Sequence, residues 1–290
     1  MTSTDVVEVA YVGTHGSHLF RDRLINSPTP GPGAINPRRP YYGLTPQIQT
    51  IRLRASDGNS SYNSLQLKYT KRMATGLSVI ASYTWANSID NQNIFYIYND
   101  QLNRGPSNSK STDLRHNFTA GYNYELPFGR GRQWLSSSSR LVDALAGGWT
   151  VNGITVMHTG DPLVMTTASS LLNTGTTNRA NVSCNGVPLV KHVDQWFDTN
   201  CFTAPAQYVL GNAGKGIVRG PGLVNFDLSG FKKFAIDEKR ALEFRAEFFN
   251  VANNTHFADP GMVLGNGNFG RITSTILTLR EVQLGLKLFF

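Results

Sequence analysis

Apolar and polar residues alternate along eight segments of the chain. In segment 240–251, Leu242 and Phe244 lie in phase with one another, while Glu243, Arg245 and Glu247 fall between the apolar positions. Strict alternation predicts β-strands, so the expected fold class is all-β. Each segment is about 10 to 12 residues long, roughly twice a typical soluble strand and the length that a tilted transmembrane strand needs. The predicted strands are 4–13, 62–72, 76–87, 115–126, 148–159, 223–234, 240–251 and 279–290.

The connections between these strands differ in length in a regular way. The long connections are 14–61, 88–114, 160–222 and 252–278, and the shorter ones between them are 73–75, 127–147 and 235–239. If the strands run alternately up and down, all long connections fall at one end of the sheet. A soluble sandwich also shows alternation, but it has no reason to sort its loops. Outer-membrane barrels do sort them, so we expect an antiparallel up-and-down transmembrane β-barrel segment of about eight long strands.

The connections are rich in Gly, Pro, Asn, Ser and Thr, as in 26–40 and 169–186. Such a composition predicts loops that do not pack a core of their own. The connection 127–147 differs, because its serine run can cap a helical turn or two that presents Leu141, Val142 and Leu145, with Gly147 and Gly148 ending the helix.

Two cysteines, Cys184 and Cys201, lie 17 positions apart in one polar stretch. This spacing suits a loop disulfide, which would contribute about 3 kcal/mol in the chain-entropy model, and the alternative is two unrelated thiols. A disulfide implies an oxidising compartment.

The net charge and the N-terminal sequence indicate which cellular compartment and which partners to expect. The net charge is +8, but the basic residues form scattered pairs such as Arg38 and Arg39, so no nucleic-acid partner is expected. No run approaches the roughly 18 to 20 apolar residues of a transmembrane helix. The start has no signal-peptide pattern, which together with the expected disulfide predicts that the chain is a piece of a longer protein.

Motifs for catalysis or cofactor binding are weak. The G-x-G-x-x-G match at 265–270 is followed by loop and strand rather than by a helix, and 211–216 departs from a phosphate loop, so we expect the latter to be a flexible loop. His15 and His18 have a metal-compatible spacing but no further ligand nearby in the sequence, and we interpret them as loop histidines. No catalytic triad or carboxylate pair emerges, so the sequence predicts no enzyme, no cofactor and no metal.

Charged residues within the predicted strands indicate which face meets water. Arginine or lysine facing lipid near the bilayer midplane costs about 2–4 kcal/mol, so the charged positions are expected to face the barrel lumen. These positions are Lys68, Glu243, Arg245, Glu247 and Lys287.

Several segments, in their serial order, resemble the C-terminal barrel of TonB-dependent receptors. The resemblance covers nearly the whole chain and is strongest to the Oar-like branch with carboxypeptidase-regulatory-like N-terminal domains, which is abundant in Acidobacteria. The segments are VVEVAYVGTHGSHL, YNSLQLKYTKRMATGLSVIASYTWANSID, TDLRHNFTAGYNYELPFGRGR, GGWTVNGITVMHTGDPL, WFDTNCF, NFDLSGFKKF and LEFRAEFFNVANNTHF.

The resemblance implies an outer-membrane receptor of a Gram-negative-type bacterium. Residues 1–290 would form the C-terminal part of a 22-stranded barrel, with the earlier strands and a TonB-binding plug preceding them. The implied activity is energy-coupled import of a bulky siderophore, glycan or peptide, although some Oar-like members are linked to adhesion or secretion. Outer-membrane lipid would surround the barrel. The alternating, aromatic-ended last strand resembles the signal read by the barrel-assembly machinery, carried here by Leu284, Leu286, Leu288 and Phe290.

Two alternatives remain from the residues. One is a self-contained eight-stranded outer-membrane protein with an adhesive or structural role, whose lumen would be filled by side chains. The other is a soluble β-sandwich binding module.

Overall fold

The computed structural model describes residues 4–91, 98–107, 111–168 and 170–290; within the predicted connection 88–114, the parts 92–97 and 108–110 lie outside the described residues. Eight long strands form the main sheet, and every predicted strand segment overlaps one of them. The strands are β1 (Asp5–Leu24), β2 (Arg52–Ala74), β3 (Leu77–Asp90), β4 (His116–Glu125), β5 (Trp149–His158), β6 (Leu223–Ala235), β7 (Ala241–Phe249) and β8 (Glu281–Phe289).

The eight strands follow one another across the sheet in chain order, and each pairs antiparallel with the next. This is the predicted up-and-down arrangement. Among the described residues, β1 and β8 are not paired with each other, so the sheet is open and these two strands are its edges.

Long and short connections lie at opposite ends of the sheet, as predicted. We call one end the loop end; its connections are 25–51, 91–115, 159–222 and 250–280. We call the other the turn end; its connections are 75–76, 126–148 and 236–240.

The hairpin of β1 and β2 is longer than predicted. The expected connection 14–61 is reduced to 25–51, because both strands continue toward the loop end. The added parts do not keep a regular alternation of apolar and polar residues, so the pattern did not reveal them. Backbone pairing continues to Leu24 and Arg52 across register shifts near Leu19, and Asp22 is paired across the strands with Arg52 and Arg54.

The connection 126–148 contains the predicted helix, α1 (Arg140–Ala146). Ser139 caps it by accepting a hydrogen bond from the Val142 backbone N–H at 3.3 Å, and Gly147 follows its last turn. Within the described residues, no helix has the length and apolar character required to cross a bilayer. The remaining short elements are 3-10 turns at Asn36–Arg38, Gln101–Asn103 and Thr199–Cys201, and strands at Gly105–Pro106, Pro162–Leu163, Thr166–Thr167, Asn181–Val182, Leu189–His192, Gln195–Phe197, Phe202–Thr203, Val218–Arg219 and Val263–Leu264.

The buried hydrophobic core lies in the loops, which corrects the expectation that they pack none. The core, here called the loop core, combines residues of 159–222 with partly buried residues of 250–280. Its apolar residues are sparse in sequence, but short strand pairs bring them together, for example Pro162–Leu163 with Val218–Arg219. The buried members are Leu163, Met165, Ala180, Phe197, Cys201, Phe202 and Val218.

Candidate ligand-binding surface

One face of the main sheet is apolar. The strand register aligns apolar side chains into a row that crosses six strands without interruption, and other rows of the same kind continue across β6, β7 and β8. Many of these side chains are exposed, so most of this face is not covered by other described residues. The six-strand row consists of Val9, Leu67, Tyr83, Phe118, Met157 and Val224.

The opposite face is polar, and it carries all five charges that the sequence assigned to a lumen. A neighbouring row consists of Glu8, Lys68, Ser82, Thr119, Val156 and Asn225. On β7, Glu243, Arg245 and Glu247 point the same way, and Lys287 of β8 lies opposite Glu243. The sheet therefore separates a face suited to lipid from a face suited to water.

The five charges fall into two separate groups. Lys68 pairs with Glu8 at 3.1 Å near one edge of the sheet. Near the other edge, Glu243 is only 2% exposed and accepts a hydrogen bond from Nε of Arg245 at 2.5 Å. Nζ of Lys233 approaches the second carboxylate oxygen of Glu243 at 3.7 Å. The Glu243 carboxylate is thus the centre of a cationic cluster.

Lys232 is an exception that the sequence analysis missed. The register places it on the apolar face, opposite Trp149 and Phe244, and it is only 5% exposed. Its Nζ donates hydrogen bonds to the carbonyl oxygens of Asp143 at 2.9 Å and Ala144 at 2.7 Å in α1. The alternation could have revealed this, because Lys232 has the same phase as the apolar Phe234, whereas Lys233 has the opposite phase.

The loop core is closed by a disulfide between Cys184 and Cys201, whose Cα atoms are 5.2 Å apart. Beside it, the rings of Phe197, Phe202 and Phe269 pack edge to face, with centroids 5.3–5.7 Å apart. Phe269 comes from the 265–270 glycine motif, which therefore contributes to packing. The two longest loops are held as one unit.

Buried ion pairs attach this unit to the loop end of the sheet. Lys215 pairs with Asp90 at the end of β3. Arg219 pairs with the fully buried Asp113, and its Nη1 also donates to the Asp113 carbonyl at 2.8 Å. Lys215 belongs to segment 211–216, so the prediction of a flexible loop there was wrong. We call the joined connections 159–222 and 250–280 the loop cap.

Arg21 connects the β1–β2 hairpin to connection 91–115, and Asn173 joins connection 25–51 to the loop cap. Arg21 is buried and bonds Asp57 at 2.5 Å and both carboxylate oxygens of Asp100 at 2.6 and 2.7 Å. The hydrogen bonds from Arg21 lower the pKa of the Asp100 carboxyl below its ordinary value of 3.8. Farther out, Nδ2 of Asn173 donates to the carbonyls of Gly31 and Gly33 at 3.0 and 2.8 Å.

A cavity of about 590 Å³ lies between the 25–51 connection and segment 174–176. Its wall mixes apolar groups with amides and hydroxyls. Arg39 stiffens this wall, since its Nη1 donates to the carbonyls of Asn26 at 2.9 Å and Gln49 at 2.6 Å. Its size is that of small-molecule sites, and the mixture suits a neutral polar ligand. The polar lining residues are Asn26, Ser27, Asn36, Arg39, Gln49, Thr50, Thr174 and Thr176.

His15 and His18 lie within β1, so their interpretation as loop residues was wrong. Across the part of the chain that the structure describes, no three or more His, Cys, Asp or Glu residues gather in a way that would hold a metal ion.

The C-terminal strand presents the predicted assembly residues along the sheet edge. Leu284, Leu286 and Leu288 project from the apolar face of β8 and are exposed. Phe290 follows the strand at the turn end and is almost fully exposed.

A long-stranded antiparallel sheet with one apolar face, one polar face and sorted loops defines a membrane β-barrel of the outer-membrane type. Consistent with this, the family model described as "Outer membrane beta barrel domain" matches residues 1–283. The chain belongs to this family, and it is an outer-membrane protein. Among curated proteins, none matches the chain in a sequence comparison.

Proposed function

We propose that the chain is the C-terminal part of the barrel of a TonB-dependent receptor of the Oar-like branch, the type abundant in Acidobacteria. In this proposal the loop cap and the polar face bind a bulky ligand, and import is driven through TonB. The observation that carries the proposal is the open sheet with two exposed edge strands.

The edges argue for a barrel of more than eight strands. β1 and β8 are exposed along most of their length on both faces, including Val9, Tyr11, Leu284 and Leu286. Unpaired edges inside a bilayer leave backbone hydrogen-bonding groups unsatisfied, so further strands are needed to cover them. An eight-stranded barrel would meet this need by joining β1 to β8, but its filled lumen passes no solute. The 22-stranded outer-membrane transporters have a plugged lumen wide enough for bulky cargo.

The loop cap supports ligand binding because it is already organised. A disulfide, a hydrophobic core and buried ion pairs hold the long loops in one arrangement. A binding site on preorganised loops loses less conformational entropy on binding than a site on mobile loops. The cavity beside Arg39 is one place where a sugar ring or a short peptide segment fits by size and polarity.

The proposed partners follow from this role. Outer-membrane lipid surrounds the apolar face, and the barrel-assembly machinery recognises the last strand through Leu284, Leu286, Leu288 and Phe290. TonB acts through an N-terminal plug outside this chain. The role is binding and transport without catalysis or a resident cofactor, and nucleic acid is not a partner.

Transport is tested with labelled siderophores, glycans and peptides in cells that produce the protein from its natural gene. We expect accumulation of one ligand class to require both this gene and functional TonB. Equal accumulation with and without TonB would contradict the proposal.

Barrel size is tested separately by cysteine crosslinking in the membrane. Val9→Cys paired with Leu67→Cys joins neighbouring strands and is the positive control. Pairing Val7→Cys or Val9→Cys with Leu284→Cys or Leu286→Cys should give no crosslink within one chain, because other strands separate β1 from β8. An efficient crosslink would instead support the self-contained eight-stranded adhesion or structural protein.

A further inference from the structure

Helix α1 exposes large apolar side chains at the turn end of the sheet. Leu141 is 79% exposed and Leu145 is 77% exposed, and Val142 is exposed beside them. The three residues lie on adjoining positions of two helical turns, so they form a continuous apolar patch. Such a patch usually marks a contact surface rather than a water-facing one.

The position of α1 shows what this surface adjoins. Lys232 binds the Asp143 and Ala144 carbonyls, and Nε1 of Trp149 donates to the Leu145 carbonyl at 2.8 Å. Lys232 and Trp149 lie opposite each other on the apolar face of the sheet. The helix is therefore attached to the lipid-facing side of the barrel, where that side meets the turn end.

We propose that α1 is an interfacial membrane anchor whose Leu141, Val142 and Leu145 side chains insert into the periplasmic leaflet of the outer membrane. The partner is a phospholipid surface, because the patch is continuous with the face that lipid already covers. Trp149 occupies the level where aromatic residues concentrate at membrane interfaces. Exposed Arg130 and Arg140 beside the patch complement anionic headgroups. Helices of this kind lie about 5–10 Å deep, at the boundary of headgroups and acyl chains.

Lys232 links the anchor to the barrel. A lysine on the lipid side of a strand is unfavourable unless its ammonium group finds polar partners near the interface. The carbonyls of α1 supply them, and they lie at the negative end of the helix dipole. Alternation places Lys232 toward lipid, and the helix that Lys232 attaches to the sheet provides the hydrogen-bond acceptors for its ammonium group. This inference depends only on the outer-membrane barrel and holds whether or not import uses TonB.

The test measures membrane depth with nitroxide labels on the full chain, reconstituted into vesicles of phosphatidylethanolamine and phosphatidylglycerol. Both native cysteines are in the disulfide, so Leu141→Cys and Leu145→Cys each add one reactive thiol. Leu44→Cys is the matched control, because Leu44 is 80% exposed and lies at the loop end. Collision rates with oxygen, which concentrates in lipid, and with a water-soluble nickel complex give the depth.

We expect the oxygen-to-nickel collision ratio to be higher at 141 and 145 than at 44. Nickel accessibility equal to that of position 44 would show that the helix faces water and would overturn the proposal. Protection from both reagents would show that another part of this chain or a second copy of it covers the helix, which would also overturn the proposal. In a second variant, Lys232→Met should increase the mobility of the label at 145, whereas Lys232→Arg should keep it low. Unchanged mobility in Lys232→Met would refute the linking role of Lys232.

Discussion

Replacing Phe197 with alanine should open the loop cap and leave the membrane sheet intact. Phe197 is fully buried, and it contacts the rings of Phe202 and Phe269. Burial of about 200 Å² of aromatic surface at about 25 cal/mol per Å² gives about 5 kcal/mol as an upper value. Measured Phe→Ala changes in cores cost about 3–5 kcal/mol. Since each 1.4 kcal/mol is tenfold, the opened cap should be populated roughly 10² to 10⁴ times more often.

Hydrogen exchange followed by mass spectrometry in detergent measures this opening by segment. The backbone amides of Ala180 and Trp196 are hydrogen-bonded inside the cap, to Met165 and Gly270 respectively. Their exchange should accelerate by the factor given above, while β4, β5 and β6 stay protected. Phe20→Ala is the matched control, because Phe20 is exposed on β1 and its loss should leave cap exchange unchanged. Unchanged cap protection in Phe197→Ala, or equal loss of protection in cap and strands, would refute the separation of the loop core from the sheet.

Three further predictions concern individual contacts. Cys184→Ser combined with Cys201→Ser should lower the stability of the loop cap by about 3 kcal/mol. Hydrogen exchange of 159–222 should become faster while exchange of the strands stays unchanged. Slower strand formation without faster exchange of 159–222 would contradict this prediction. Arg21 lowers the pKa of Asp100 below 3.8, so the contribution of the Arg21–Asp100 pair to hairpin stability is full above pH 3.8 and is lost as pH falls through the folded-state pKa. Protection of the β1–β2 hairpin should therefore decrease in acid, and Asp100→Asn should remove this acid-dependent decrease. Glu243→Gln should lower unfolding stability in urea by about 1.5–3 kcal/mol, and Glu247→Gln, its control on the same face, should change it by less.

The membrane strands were predictable because lipid imposes a strict rule on them. Alternation such as Leu242, Glu243, Phe244 follows directly from a sheet with lipid on one side and water on the other. The same rule fails where β1 and β2 continue beyond the membrane, because water on both faces removes the alternation. There, long-range pairs such as Arg21 with Asp100 hold the structure, and no local pattern signals them.

The loop core was not predictable for a related reason. Leu163, Phe197 and Phe269 are far apart in a polar background, so composition suggested unstructured loops. Their meeting depends on strand pairs and ion pairs whose partners are distant in sequence. Lys232 lies between these cases: its phase marks it as lipid-facing, but its partners in α1 become visible only in three dimensions.

The extended β1–β2 hairpin sets how far the protein reaches from the cell. A tilted strand of about 9–11 residues crosses the membrane, and β1 has 20. The remaining roughly ten residues, at about 3.3 Å each and a tilt near 40°, rise about 25 Å beyond the bilayer. The loop cap is thus held beside a hairpin that stands well clear of the lipid headgroups. The outer part of the hairpin is therefore a surface that soluble molecules can reach without entering the bilayer.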